Sequence, residues 1–130
     1  MSCDYIPKKR PEAIYVNILG SLYIVRFRTI EEDIRLKECD GYCDNTTQEI
    51  IIQWFEESPM NHQNMHEYIK KCIRHEIVHA FLYQSGLDVN TYNQWARNEE
   101  MVDWIATQLY KISKACENAE EDYKKETIKN

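Results

Sequence analysis

The stretch His75-Glu76-Ile77-Val78-His79 places two imidazoles four residues apart, with a carboxylate directly after the first. In a helix, residues i and i+4 lie about 40° apart on one face, one turn along the axis. Two neutral imidazoles in that arrangement can bind one Zn²⁺ ion, with Glu76 beside the metal and not among its ligands. The stretch therefore predicts two ligands of a metal centre, and the rest of the chain must supply the third.

The residues around this stretch favour a helix from Asn61 or His62 to Ser85, with Gly86 at its C-cap. A mostly apolar stripe lies on the side away from the histidines, and it contains Ile69, Ile73, Ile77, Ala80, Phe81 and Gln84. The histidine spacing is the H-E-x-x-H pattern of zinc peptidases, in which the glutamate acts as a general base. A helical setting is what this pattern needs.

A second helix is predicted to begin at the N-cap residue Asn98 and to run to about Cys116. Its expected core stripe is Met101, Val102, Ile105, Leu109 and Ile112. The helix opens with acidic residues, and Glu99 follows His79 by 99 − 79 = 20 residues. These acids are the candidates for the third metal ligand.

Three acidic residues compete for that role: Glu99, Glu100 and Asp103. Around a helix, Glu99 lies about 40° from Asp103, whereas Glu100 falls about 60° away on the other side, further towards solvent. We therefore assign Glu99 as the third ligand. Asp103 is assigned as an acceptor for a ring N–H of one ligand histidine, preferably His75, because such a partner fixes the tautomer and improves the ligand.

The region before the first helix predicts a small, mostly antiparallel sheet of three or four strands. Gly20-Ser21 separates two apolar runs and indicates a hairpin, while residues 29–39 fit either a short helix or a loop. Residues 87–96 are expected to form a loop. The predicted strands are 14–19, 22–27, 42–44 and 49–54. The fold class is therefore α+β, with the sheet packed on the H-E-x-x-H helix and a second long helix.

Length and composition favour one domain in residues 1–116, followed by a charged segment, 117–130, that either extends the helix or frays. The net charge of −6 argues against direct nucleic-acid binding. No apolar run approaches the ~20 residues of a membrane span, and the N-terminus lacks a signal-peptide centre. We expect a cytosolic protein without a membrane partner, and its five cysteines fit reduced thiols.

The predicted metal centre suggests a hydrolytic mechanism. Zinc lowers the pKa of bound water towards ~7, and Glu76 would take its proton and later deliver it to a leaving amine. The oxyanion needs a further donor, for which Tyr83, Tyr92 and Arg97 are considered without a choice between them. A peptide substrate could pair with an exposed strand edge of the sheet.

The segment Arg74 to Leu82, followed by Asn98-Glu99-x3-Asp103-Trp104-Ile105-Ala106, resembles the gluzincin pattern of H-E-x-x-H with a downstream N-E-x-x-x-D. Within that group it resembles the small ImmA/IrrE-like metallopeptidases, which are cytosolic bacterial proteins often encoded by phages and mobile elements. The resemblance covers residues 70–110 and implies a minimal zincin-like domain with Zn²⁺ on His75, His79 and Glu99. It departs at Val102 and at Trp104-Ile105, and no helix-turn-helix segment is attached.

Two functions from different classes follow. The first is a zinc-dependent peptidase acting on a peptide or protein in a bacterial or phage-infected cytosol. The second is a non-catalytic zincin-fold binding or regulatory module, in which zinc is structural or absent. A second zinc site built on Cys39 and Cys43, with Cys72 and Cys116, is a weaker alternative, because one Cys-x3-Cys pair is a poor signal.

Overall fold

One four-stranded mixed sheet and three helices make up the computed structural model, which describes residues 9–55, 62–90 and 92–128. Side chains are described for these residues except 62–64, 90, 92 and 93. The strands are β1 (Ile14–Ile18), β2 (Ser21–Arg28), β3 (Gly41–Asp44) and β4 (Glu49–Gln53). The helices are α1 (His62–Gln84), α2 (Leu87–Asn90) and α3 (Glu99–Thr127). The predicted α+β class is confirmed.

The strand order is β1-β2-β4-β3, so β4 lies between two strands that precede it in the chain. β1 and β2 form the predicted hairpin, with both turn residues, Leu19 and Gly20, at positive φ, as primed hairpin turns require. β3 pairs antiparallel with β4, whereas β4 runs parallel to β2. The connection from β2 to β3 contains a short 3-10 helix, Ile34–Lys37. Among the described strands β3 has β4 as its one neighbour, so β3 is an edge strand.

Helix α1 covers one face of the sheet. Alternate residues of β2 and β4 point to the same side, because strand side chains alternate between faces. These side chains meet the predicted apolar stripe of α1 in the core, where Ile69 and Ala80 are buried. Phe81, which was also assigned to that stripe, is 40% exposed. The buried core residues are Ile18, Tyr23, Val25, Phe27, Ile50, Ile52, Ile69 and Ala80.

Helix α3 packs on α1 through its first turns. Asn98 caps it as predicted: its side-chain oxygen accepts a hydrogen bond from the Met101 backbone N–H at 2.8 Å. The helix continues past Cys116 to Thr127, so of the two alternatives predicted for the charged segment, the helix extension holds over residues 117–127. The predicted core stripe is too long. Leu109 and Ile112 are 40% and 46% exposed, so α3 buries no residue of this stripe beyond Ala106.

The expected loop over 87–96 is replaced by two short helical segments, α2 and a 3-10 helix, Tyr92–Arg97. Asp88 in the first of them pairs with Arg97 at the end of the second. Ala96 is buried, which fixes this connection against the domain. Among the described residues, no helix has both the length and the apolar content needed to cross a membrane.

Candidate metal centre

His75 and His79 lie on the face of α1 that is turned away from the sheet core. Their ring centroids are 4.9 Å apart and the ring planes are inclined by 64°. Each side chain is about four-fifths buried, with 18% and 20% exposed. The intervening Ile77 packs towards the core, so the helical period itself directs the two imidazoles to one side. Helix α1 alone therefore brings together the two histidines of the predicted centre.

Glu99 brings the second helix to these imidazoles. Its Oε1 atom lies 3.0 Å from His75 Nε2 and 2.7 Å from His79 Nε2. The three possible ligand atoms lie within 4.8 Å of one another. The cap at Asn98 makes Glu99 the first residue of α3, and this position aims its carboxylate at α1. The structure thus brings together the three residues assigned as ligands from the sequence, and metal binding stays a prediction.

Asp103 lies one turn further along α3 and contacts the same histidine that the sequence favoured. Its Oδ1 atom is 3.3 Å from His75 Nδ1, and its Oδ2 atom is 3.3 Å from the Lys71 ammonium. With Nδ1 facing Asp103, the Nε2 atom of His75 is the one that faces Glu99. This is the arrangement in which an outer carboxylate fixes the tautomer of a ligand imidazole.

The two glutamates of the site have opposite pKa shifts. Burial raises the pKa of Glu99, but hydrogen bonds and charges from His79 and His75 outweigh it and leave the pKa below its usual range. Burial raises the pKa of Glu76 from 4.5 to about 7; the His75 charge opposes this increase and Glu99 adds to it. The predicted ligand Glu99, whose pKa is lowered, therefore lies beside Glu76, whose pKa is close to neutral pH.

Glu76 is the buried carboxylate of the site, with 7% of its surface exposed. Among the described residues, its side chain has no hydrogen-bond or ion-pair partner. It lies against the start of β3, where a Cβ added at Gly41 would be 3.6 Å from Glu76 Oε2. The same Cβ would be 2.9 Å from the Ile51 carbonyl oxygen of β4, so it is the pairing of β3 with β4 that leaves no room for a side chain here. Gly41 therefore shapes the wall beside Glu76.

A cavity of about 430 Å³ opens beside the centre, between α1, the beginning of β3 and the first turn of α3. It includes His75, Glu76, Glu99 and Asp103 in its walls. The other lining residues are Cys39, Asp40, Gly41, Tyr68, Lys71, Cys72 and Glu100. Glu100, which was placed towards solvent from the sequence, is exposed and lies at this cavity. Glu76 therefore lies in the wall of an open cavity.

Sequence reasoning missed several of these lining residues. Tyr68 and Cys72 precede His75 by seven and three residues, so helical spacing alone could have placed them on its face. Asp40, whose carboxylate accepts a hydrogen bond from the Tyr68 hydroxyl, was assigned only to a turn. No local signal in the sequence brings the start of β3 to α1, because that contact depends on the strand order.

Two of the three proposed oxyanion donors, Tyr83 and Arg97, are not brought to the cavity. Tyr83 and Arg97 are not among its lining residues, and Arg97 is paired with Asp88. The side chain of Tyr92 lies outside the described residues. In the part of the chain that the structure describes, the cysteines form no second cluster of metal ligands; the His75, His79 and Glu99 set stands alone.

No protein-family model, curated protein or solved structure matches this chain.

Proposed function

We propose that the protein is a zinc-dependent peptidase that hydrolyses peptide bonds with Glu76 as the general base. One observation carries the proposal: both histidine Nε2 atoms converge on one Glu99 carboxylate oxygen, beside a buried glutamate to which no described residue donates a hydrogen bond. The gluzincin-like motif extends it to a regulatory protease of a bacterium, phage or prophage, acting in the cytosol.

The donor set fits zinc. Two imidazole nitrogens and one carboxylate oxygen are the ligands of a catalytic zinc site, which leaves a fourth position for water. Ligand atoms about 2.0–2.1 Å from a tetrahedral ion lie about 3.4 Å apart. The Glu99 oxygen is 3.0 and 2.7 Å from the two imidazole nitrogens, so small side-chain shifts suffice to admit an ion. His75, His79 and Glu99 would hold it.

Zinc at this position supplies Lewis acidity, which makes water acidic enough to ionise near neutral pH. Glu76 would accept a proton from the attacking water. Its carboxylate would then carry that proton until the amine of the cleaved bond leaves. Burial raises the pKa of Glu76 to about 7 in the metal-free chain, and a neighbouring Zn²⁺ would lower it and so favour the carboxylate that accepts the proton.

The edge of β3 offers a way to hold the substrate backbone. Within the described residues, β3 pairs only with β4, and its first residue, Gly41, adjoins Glu76. An extended peptide added to that edge would donate and accept main-chain hydrogen bonds independently of its sequence. This would bring a scissile bond to the cavity at Glu76.

The first test is metal content. We expect about one zinc per chain in the wild type and in Glu100→Ala, and its loss in Glu99→Ala, measured by metal mass spectrometry after gel filtration. Glu100 is the matched control because it is the same residue type in the same helical turn. Wild-type protein that takes up no zinc when zinc is supplied would overturn the metal centre and favour the non-catalytic module.

The second test separates binding from catalysis. Glu76→Gln is expected to keep its zinc and to lose hydrolysis, because the amide cannot take a proton from water. Wild type and variant would be incubated with a peptide library from a bacterial proteome, and new termini would be counted by mass spectrometry. Equal cleavage by the two proteins would contradict the assigned role of Glu76.

A further inference from the structure

We propose that the cavity beside the metal centre is a specificity pocket for a cationic side chain, lysine or arginine, of the peptide substrate. The inference rests on the proposed function, because it names the substrate class of the same site. It is argued from the shape of the cavity, from the charges that line it and from the position of Glu76.

The cavity has the length and walls that suit a long side chain. It follows α1 from His75 back to Tyr68, and seven residues of helix span about 10 Å. Between these ends the walls include Cys72, Cys39 and Gly41, which carry no charged side chain. Lysine and arginine bury their aliphatic stems along such surfaces and keep the charged group at a polar end.

The charges that line the cavity are mostly negative: five carboxylates face one ammonium group. The ammonium of Lys71 is already bound by Asp103, and Glu99 is held by the two histidines. Glu100 has no hydrogen bond or ion pair within the described residues, and Asp40 accepts only the Tyr68 hydroxyl at its side chain. These two carboxylates are therefore available to a ligand. The five carboxylates belong to Asp40, Glu76, Glu99, Glu100 and Asp103.

Glu76 shows that the negative wall is more than a solvated acidic surface. It is a cavity-lining side chain, more than nine-tenths buried, and no described residue donates to it. In the proposed mechanism its carboxylate is kept for the attacking water, so Glu76 adds negative charge to the wall while the substrate cation is held by Asp40 or Glu100. An acidic side chain in the same place would be repelled, and an apolar one would desolvate the carboxylates without replacing their hydrogen bonds. The cavity therefore selects a cation.

The test uses zinc-loaded protein and three peptide libraries that are identical except for Lys, Gln or Glu at one position, which is scanned along the peptide. Lysine is expected to be preferred at one position. Glu100→Lys should lower kcat/KM for those lysine peptides about fivefold, the upper range for an exposed ion pair, and raise it for glutamate peptides. Glu117→Lys is the matched control, because it makes the same charge change on the same helix outside the cavity.

A binding measurement keeps this proposal separate from the peptidase itself. Agmatine, which carries the arginine guanidinium, would be titrated into the zinc-loaded wild type, Glu100→Lys and Glu117→Lys by calorimetry. Binding that is lost only in Glu100→Lys supports the pocket even if no peptide is cleaved. Absence of agmatine binding to the wild type, equal effects of the two variants, or a preference for Glu or Gln peptides would overturn it.

Discussion

At the scale of single residues, Asp103 makes two contacts that depend on each other. One oxygen faces the His75 ring and the other faces the Lys71 ammonium, each at 3.3 Å. Lys71 restrains the carboxylate, and the carboxylate in turn restrains the imidazole. The residue thus acts through His75 and not by contact with a metal.

The prediction for this residue is that Asp103→Ala weakens zinc binding by about 10–100-fold, as loss of an outer carboxylate does in other metal sites. The ligands themselves stay in place, so the stoichiometry should remain one zinc per chain. Competition with a chromogenic chelator measures the affinity. Asp122→Ala, an exposed acid on the same helix, is the control. Equal affinities of the two variants would contradict a positioning role.

At the scale of elements, the N-terminus of α3 serves both the helix and the metal centre. Asn98 caps the helix, and the next residue is the predicted ligand Glu99. We expect Asn98→Ala to cost about 1 kcal/mol of stability, the usual value for a lost N-cap, and to weaken zinc binding because the first turn frays. Asn98→Ser, which can still cap, should retain both. Urea denaturation and the same chelator competition test this, and loss of stability with unchanged zinc affinity would separate the two roles.

The connection between β2 and β3 is held by Asp33. Its carboxylate accepts hydrogen bonds from the Tyr42 hydroxyl at 2.5 Å and from Arg35 N and Arg28 Nη1 at 3.1 Å. The Tyr42 hydrogen bond is the main reason why the pKa of Asp33 lies below 3.8, and burial opposes it. This carboxylate joins the 3-10 helix to the strand that lines the cavity.

Because the folded pKa of Asp33 is lower than the unfolded one, its stabilisation is complete above the unfolded pKa. The stabilisation is lost as pH falls through the folded pKa. Asp33→Asn should therefore lower the free energy of unfolding at pH 7 and flatten its decline below about pH 4. Urea denaturation at pH 7, 5, 4 and 3 measures both effects. Wild type and Asp33→Asn with the same acid-induced loss would show that Asp33 does not contribute.

At the scale of the whole molecule, the second half of α3 leaves the domain. Every described residue from Leu109 to Ile128 is exposed. A chain that ends at Cys116 should keep its zinc and lie within about 0.5 kcal/mol of wild-type stability, the range for surface changes. A chain that ends at Ile105 should be clearly less stable, because it loses buried Ala106 and the carbonyl that Arg74 binds. Urea denaturation compares them, and a large loss in the first truncation would contradict the prediction.

What could be predicted from the sequence was encoded locally. The turn at Gly20, the helix around His75 and the cap at Asn98 each follow from a few adjacent residues. The insertion of β4 between β2 and β3 could not be predicted, because pairing register depends on contacts distant in sequence. Periodicity showed that Leu109 and Ile112 share a face with Val102, but not how far along α3 that face is buried. The lining residues Asp40 and Gly41 were missed because their approach to α1 depends on this strand order.

The ligands predicted for the metal centre come from two helices, and Glu99 follows His79 by 20 residues. An ion held by both would close that segment into a ring, as a covalent cross-link does. Because the unfolded chain has no preformed site, the free energy of ion binding would add to the free energy of folding. The connection through α2 would then resist proteolysis only while the ion is bound, so the lifetime of the protein in a cell would follow the supply of metal.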